Sequence, residues 1–466
     1  MRELLLSIAI VYTIAVLGSG VYFAKKVRSF SEFLIAGRTL PLPITLGTIW
    51  ATYVGGATIV GWTGAFYTFG LDWWFYGVGA ICGVTVITLV WSKRVRRLGI
   101  ATLPELIERR YDVRARITLA VAMVIAYLAI YVVQIIALGS VLIVLVGLPR
   151  EVAYALATIA FVAIAIPGGL KGVAITDFVQ AALMATGILL GGTISLYMAG
   201  GLKAWEVLPP KHLTPLGYFS PITAIGAFVS VFGIASVSQS LFIQRFAASR
   251  DERTAYLAGL MMIPGAFFAY FFGPYLMGTS ARTIIGPGFK AADVFPKLVL
   301  SLPTWLGALL FATVLATIVT TANSLLISGT ANVVWDLVHR LRPGLSEDYL
   351  MKLSKIIAAV LGLIGLPWAI FAPGIVDAIA FAYTIYSAVA FTPLYLAFWR
   401  RANAVGATAS IIGGAITAIT WEYVLLRPYG IHSMIPSILV ALVLMVVGSL
   451  LTPPPPKERV EVVGLK

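Results

Sequence analysis

Apolar residues run along the chain in long segments, each bounded by charged residues, proline or glycine. A helix needs about 20 apolar residues to cross a bilayer, and these segments recur from residue 4 to residue 451. The pattern predicts an all-α polytopic membrane protein with about thirteen transmembrane helices. The predicted spans are Leu4–Ala24, Leu42–Tyr67, Trp73–Trp91, Ile117–Val146, Val152–Ile166, Asp177–Ala199, Pro221–Phe242, Ala255–Met277, Leu306–Val333, Leu353–Phe371, Ile375–Trp399, Ala404–Leu425 and Ile435–Leu451.

An odd number of spans places the two termini on opposite sides of the membrane. Loops rich in Lys and Arg stay on the cytoplasmic side, and 25 of the 33 Lys and Arg residues fall on the side that faces the first loop. The other eight are Arg2, Arg150, Lys203, Lys211, Arg282, Lys290, Lys297 and Arg427. We therefore expect the N-terminus outside and the C-terminus in the cytoplasm, with one transmembrane domain over residues 1–452 and a short cytoplasmic tail over 453–466.

Composition narrows the possible functions. Charged residues make up 11% of the chain, against about a quarter in soluble domains, which excludes an ordinary soluble enzyme. The net charge of +14 resides in loops between the spans, so it orients the protein in a lipid bilayer and indicates no nucleic-acid partner. One cysteine and three histidines give no basis for a disulfide framework, a haem or a metal cluster, and we expect neither a cofactor nor an obligate protein partner.

Polar residues inside spans are costly and mark function. The second span contains Ala51 to Thr58, where adjacent Gly55 and Gly56 weaken the helix near the bilayer centre. An unwound turn would expose carbonyls, including those of Ala51 and Val54, that suit a small cation. The alternative is close helix packing by small residues.

The ninth span carries a dense run of hydroxyls, with Thr317, Thr320 and Thr321 followed by Asn323 and Ser324. Threonine hydroxyls can ligate sodium. They can equally donate to carbonyls of the preceding helical turn.

Further polar residues enter other spans. Asp177 opens the sixth span at its cytoplasmic end and is a candidate cation exit site, although a carboxylate there also stabilises the helix dipole. Gln239 in the seventh span and Gln134 in the fourth could bond a solute. Trp74 and Tyr76 are candidates either for the lining of the same cavity or for an interfacial aromatic belt.

Together these residues resemble the sodium:solute symporter family over nearly the whole chain. The resemblance is carried by Phe33 to Arg38 before the second span, the Gly-Gly-Leu-Lys to Thr-Asp-Phe-Val-Gln stretch that ends at Gln180, the pair Gln244-Arg245 after the seventh span, and Thr320-Thr321. It implies the leucine-transporter fold, with two inverted repeats of five helices over residues 42–199 and 221–399. The helix at 4–24 and those at 404–451 would be peripheral, and the second and seventh spans would be the broken helices.

The resemblance also implies site residues. Sodium would be bound by the carbonyls of Ala51, Val54 and Thr317 and by the hydroxyls of Thr320 and Thr321, with serine commoner at the last two positions. Some members carry an acidic residue where this chain has Tyr53. Asp177 would be the inner sodium-release residue. Substrate contacts would include Thr58 and Gln239, with Trp74 and Tyr76 nearby, and a small neutral or zwitterionic solute is expected because no basic residue is placed in this cavity.

These observations predict a sodium-coupled symporter that carries a small organic solute, such as an amino acid, carboxylate, vitamin or sugar, into the cell by alternating access across the plasma membrane. A proton-coupled symporter of the same fold is the alternative. A channel, a receptor and a membrane-embedded enzyme are more remote, because the sequence has no paired intramembrane carboxylates and no soluble output domain.

Overall fold

The computed structural model describes residues 2–24, 27, 29–237, 240–372 and 374–464. Its regular elements are helices, in agreement with the predicted fold class. The α-helices are α1 Arg2–Ala24, α2 Phe30–Ile35, α3 Leu42–Tyr53, α4 Trp62–Phe69, α5 Trp74–Leu98, α6 Leu103–Arg110, α7 Val113–Val146, α8 Arg150–Met198, α9 Pro210–Leu213, α10 Pro221–Val237, α11 Ser240–Ala248, α12 Glu252–Phe267, α13 Gly273–Ile284, α14 Ala291–Ser301, α15 Thr304–Ala331, α16 Glu347–Phe371, α17 Ile375–Tyr395, α18 Ala404–Ile419, α19 Met434–Leu451 and α20 Lys457–Glu461.

The second predicted span is broken where the paired glycines stand. Helix α3 ends at Tyr53, and Val54 takes an extended conformation with φ −90° and ψ 93°. The chain resumes helical geometry as a π-helical turn, Ala57–Gly61, that leads into α4. Because glycine loses more conformational freedom in a helix than any other residue, Gly55 and Gly56 explain the position of the break.

The fifth and sixth predicted spans are joined in the structure. Helix α8 covers 49 residues and contains a single kink at Gly169, where φ is +54° and ψ is −174°. A Cβ at Gly169 would lie 2.6 Å from Cδ2 of Phe33, so glycine also permits the close approach of α2. The predicted boundary between the spans, which contains Pro167 and Lys171, thus appears as a glycine kink inside one continuous helix.

Nine helical stretches within the described residues are long and apolar enough to cross a membrane. A shorter apolar helix covers Pro221–Gly233, and the break predicted in the seventh span lies at residues 238–239, outside the described part of the chain. The count of thirteen spans therefore stays a prediction.

Helix α15 lies at the centre of the bundle, with every residue from Val314 to Ala331 buried. Helix α19, by contrast, presents an apolar face to the outside, where Leu439 is 56% exposed and Val443 58% exposed. Such a face suits lipid tails. The polar residues of α15 are thus enclosed by protein, where neighbouring helices supply their hydrogen-bond partners.

Two backbone hydrogen bonds connect the segment just before α3 to the end of α11. The N–H of Leu40, just before α3, donates to the carbonyl of Ala248 at 3.1 Å, and the N–H of Arg250 donates back to the carbonyl of Leu40 at 3.0 Å. Leu40 and Ser249 thereby form an isolated parallel bridge between the start of α3 and the end of α11.

Candidate cation and solute site

The break after α3 faces the hydroxyl-rich stretch of α15. Oγ1 of Thr320 lies 2.9 Å from the carbonyl oxygen of Ala51 and 3.1 Å from that of Thr317. Oγ1 of Thr321 lies 3.1 Å from the carbonyl oxygen of Thr52. Oxygens from two helices therefore converge at the interruption, which is the arrangement that binds small cations in broken-helix transporters.

Backbone proximity at Gly55 makes this convergence possible. A Cβ at Gly55 would lie 2.7 Å from Oγ1 of Thr321, which is closer than real Cβ contacts. Thr321 donates to the carbonyl of Thr52, whereas the carbonyl predicted from the sequence is that of Val54, two residues later. Val54 is buried and has an extended backbone at the break. The hydroxyl of Thr317 donates to Val314 at 2.9 Å, so Thr317 offers its carbonyl to this cluster.

A cavity of about 30 Å³ adjoins the convergent oxygens. This volume accommodates one or two water molecules, so a larger solute requires the cavity to expand. Uncharged side chains form its wall. They are Thr52, Tyr53, Gly55, Thr58, Ile130, Gln134, Val231, Leu241, Tyr270, Thr321, Leu325 and Tyr383.

Two of the predicted substrate residues, Thr58 and Gln134, line this cavity. Gln134 accepts a hydrogen bond from the N–H of Gly56 at 2.7 Å and donates to the carbonyl of Ile130 at 3.3 Å. Its amide oxygen thus satisfies a backbone donor that the broken helix leaves free, at a point where a carboxylate or carbonyl of a solute could bind instead.

Two other predicted residues lie elsewhere. Trp74 is 36% exposed and its ring contacts that of Phe271, with centroids 5.0 Å apart. Tyr76 is buried against Trp73 at 4.1 Å, with its hydroxyl 3.4 Å from Nε2 of His432. Neither lines the central cavity, and Gln239 falls outside the described residues.

The aromatic wall comes instead from Tyr53, Tyr270 and Tyr383. Tyr53 contacts Tyr270 edge to face at 5.2 Å. Sequence reasoning missed Tyr270 and Tyr383 because aromatic residues are common throughout the spans. Tyr53 did carry a signal, since it stands in the polar stretch next to Gly55.

Asp177 is buried and belongs to a chain of polar side chains that leads towards the cavity. Its Oδ2 accepts from Oγ1 of Thr48 at 2.7 Å. Arg245 donates to Thr48 at 3.4 Å and to Oγ of Ser324 at 2.7 Å. The Ser324 hydroxyl is in turn 3.0 Å from that of the cavity residue Thr52.

The structure corrects the placement of Arg245. Its position after the seventh span assigns it to the basic cytoplasmic loop, but its side chain is fully buried between α3, α8 and α15. A buried guanidinium requires nearby acceptors and a compensating charge. Thr48 and Ser324 supply the acceptors, and Asp177, bonded to the same Thr48, supplies the charge.

Comparison with known proteins identifies the family. The sequence matches the profile described as "SSF: Sodium:solute symporter family" over residues 33–414. The chain belongs to this family. It is 26% identical to the sodium/pantothenate symporter of Escherichia coli, over 94% of this chain and 95% of the other. It is 25% identical to the sodium/proline symporter of Haemophilus influenzae, over 96% and 94% of the two chains.

A solved structure shares the fold of this family member. The substrate-bound, outward-open structure of a Na⁺-coupled sialic acid symporter superposes with a TM-score of 0.80 and 20% identity, covering 97% of this chain and 98% of the other. The predicted family, fold class and transport function are confirmed. The roles of individual site residues and the division into repeats stay predictions.

Proposed function

We propose that this symporter uses sodium bound between α3 and α15 to drive the uptake of a small organic solute by alternating access. The observation that carries the proposal is the convergence of Thr320 and Thr321 hydroxyls on carbonyls of the interrupted helix. In the sodium-bound state the hydroxyl protons turn away, and the same oxygens, with the carbonyls of Ala51, Val54 and Thr317, face the cation.

Sodium at this position acts on the solute cavity through shared residues. Gly55 and Thr321 both line the cavity and lie against each other. A cation that fixes α3 against α15 therefore also fixes one cavity wall. Coupling requires the pair to bind more favourably together than separately, and typical coupling free energies are about 1–3 kcal/mol.

The cavity favours a small solute that is neutral or zwitterionic. Its wall offers hydroxyls, an amide and aromatic faces but no charged side chain. A carboxylate on the solute would displace Gln134 from the Gly56 N–H, because that donor lies at the resumption of the broken helix. Proline, which is zwitterionic, is the first solute to test, and pantothenate, which is an anion at neutral pH, tests the preference for charge; both are named for the relatives.

Asp177 is proposed as the residue that receives sodium on its way to the cytoplasm. It lies below the oxygen cluster at the end of the chain Thr52, Ser324, Arg245 and Thr48. Arg245 compensates the carboxylate when the cation has left.

We also propose an N-terminus outside and a C-terminus in the cytoplasm of the plasma membrane. This orientation is supported by residues that meet at the two ends of the molecule. Arg459 of the tail donates to the carbonyl of Glu108 beside the basic segment 93–116. At the other end, Arg282 donates to the carbonyl of Tyr67 and lies 3.0 Å from His212.

Uptake into proteoliposomes tests the function directly. Radiolabelled proline and pantothenate are offered under an inward sodium gradient, an inward proton gradient, or neither, with the membrane potential clamped by potassium and valinomycin. We expect accumulation under the sodium gradient alone, and loss of that accumulation when Thr320 and Thr321 are both changed to Ala. Sodium-driven uptake that persists in this double variant contradicts the site.

A proton-coupled symporter is a second candidate, supported by one observation. Oδ1 of Asp177 is buried and has no hydrogen-bond partner among the described residues, so it could accept a proton. Accumulation that follows the proton gradient, ignores sodium and is lost in Asp177→Asn would select this candidate.

A further inference from the structure

A second cavity, of about 310 Å³, lies at the end of the molecule that carries the basic loops. Its wall combines α2, the turn after α2, α6, the π-helical continuation of α15 at Asn332–His339, and the start of α16. No residue of this wall lines the central cavity. The wall residues that matter here are Phe30, Leu34, Arg38, Glu105, Trp335 and Leu350.

Arg38 lines this cavity, and part of the hydrogen-bonding capacity of its guanidinium is unused. Its Nη2 donates to the carbonyl of Gly99 at 2.5 Å, whereas its Nη1 is buried without a partner among the described residues. A buried donor left unpaired is costly. The guanidinium also stands on a strained turn, because Ala36 and Arg38 have φ of +50° and +59°, a conformation that persists where surrounding structure imposes it.

The two carboxylates of this wall, Glu105 and Glu347, already accept hydrogen bonds from other groups. Oε2 of Glu105 accepts from the N–H of Ala101 at 2.9 Å and from Nε1 of Trp335 at 3.2 Å, and its Oε1 accepts from Arg109 at 2.8 Å. Glu347, at the exposed rim, accepts from the N–H of Phe30 at 3.3 Å. Arg38 therefore supplies the charge with unused bonding capacity.

The rest of the wall is apolar. The rings of Phe30 and Trp335 lie 6.0 Å apart, and Leu34 and Leu350 add aliphatic surface. A wall of this kind accepts an aromatic or branched aliphatic group, with one polar residue that fixes its orientation.

We propose that this cavity binds a small organic carboxylate with an apolar body, its carboxylate on Arg38 and its body against Phe30, Leu34 and Trp335. Arg is suited to this role because its fork of N–H donors matches the two carboxylate oxygens. The site lies on the cytoplasmic side in the proposed orientation, and its occupant is distinct from the solute in the central cavity.

Occupancy would influence the movement of α2. The carbonyl of Leu34 accepts from Nε2 of Gln244 on α11 at 2.7 Å, and Ser328 on α15 donates to Oε1 of the same Gln244 at 2.8 Å. A ligand that contacts both α2 and Trp335 reinforces this closed arrangement. The ligand therefore favours the state in which α2 lies against α15. By linkage, that state also binds the ligand more tightly than other states do.

The test uses three probes that share a phenyl ring: phenylacetate, 2-phenylethanol and phenethylamine. Their binding to the purified full chain is measured by equilibrium dialysis in potassium buffer without sodium, so the result does not depend on transport. We expect saturable binding of phenylacetate and at least tenfold weaker binding of the alcohol and the amine. The matched variants are Arg38→Gln, expected to weaken phenylacetate binding at least tenfold, and Arg342→Gln, an exposed arginine expected to have no effect.

Ser31→Trp provides an independent variant, because Ser31 is an exposed wall residue whose enlargement fills the cavity without disturbing the core. Loss of phenylacetate binding in this variant supports the site even if Arg38→Gln fails to fold. Absence of phenylacetate binding, equal binding of all three probes, or binding that both cavity variants leave unchanged overturns the proposal.

Discussion

The oxygen cluster between α3 and α15 makes a quantitative prediction about sodium-dependent stability. The change is Thr320→Ala with Thr321→Ala, and the matched control replaces both threonines by serine, which keeps both hydroxyls. The alanine variant removes the two side-chain oxygens that lie 2.9 Å and 3.1 Å from carbonyls of the broken helix.

The expected magnitude follows from linkage. A ligand that binds only the folded state stabilises it by about 2.7 kcal/mol at 100 times its dissociation constant. For a chain of this size each kcal/mol shifts the unfolding temperature by about 1–2 °C. Replacing potassium by sodium should therefore raise the unfolding temperature of the wild type by about 3–5 °C.

The assay is thermal unfolding of purified protein in sodium and in potassium at equal ionic strength. Each lost hydrogen bond also costs about 1 kcal/mol of baseline stability, so the quantity compared is the sodium-minus-potassium difference within each variant. We expect less than about 1 °C for the alanine variant and nearly the full shift for the serine variant. A full shift in the alanine variant would refute the assignment of these hydroxyls to a sodium site.

Three further predictions concern neighbouring features. Gly55→Ala places a Cβ 2.7 Å from Oγ1 of Thr321, so it should lower the free energy of unfolding by about 1–3 kcal/mol and abolish the stabilisation by sodium in thermal unfolding. The control Gly18→Ala, whose Cβ meets nothing within 4 Å, should change neither quantity, and equal effects of the two variants would contradict the packing argument. Gln134→Leu leaves the Gly56 N–H unpaired and should lower the unfolding temperature by an amount equivalent to about 1–3 kcal/mol. Gln134→Glu keeps the acceptor oxygen but buries an ionisable group among uncharged side chains, so its stability should approach that of the wild type as the pH is lowered and the carboxyl is protonated. Burial alone would raise the pKa of Glu108, but hydrogen bonds from Arg340 and Arg116 lower it below its ordinary 4.5. Because the folded-state pKa is lowered, the ionised Glu108 stabilises the fold above about pH 4.5, and this contribution is lost as the pH falls through the folded-state pKa. When the free energy of unfolding is measured from pH 6 to pH 3, Glu108→Gln should therefore lose less stability over this range than the wild type.

The sequence predicts the broken helix well because the cause is local. Two adjacent glycines destabilise a helix wherever they occur, and α3 ends two residues before them. Thr320 was identified for an equally local reason, since hydroxyls accumulate in one apolar span. The carbonyl that each hydroxyl contacts cannot be predicted from local sequence, because packing between helices sets how the chain rotates across a break. For this reason the contact of Thr321 with the carbonyl of Thr52 was not predicted.

The burial of Arg245 could not be predicted from the sequence. Hydropathy places a charged residue at a span end in the adjoining loop, since a guanidinium in hydrocarbon is costly. Its burial depends on Thr48 and Ser324, which come from distant parts of the chain. Trp74 likewise contacts Phe271, in the π-helical turn Phe268–Phe272 between α12 and α13, a pairing that spacing along one helix cannot reveal.

The backbone bridge between Leu40 and Ser249 reduces the number of independent motions available to the molecule. Displacing the start of α3 without the end of α11 requires the two bonds at 3.1 Å and 3.0 Å to break, at a cost of about 1–3 kcal/mol. The start of α3 and the end of α11 therefore move together. Joint movement of these two helices reduces the number of half-open intermediates. Fewer such intermediates leave fewer routes by which ions cross the membrane down their gradient without the solute.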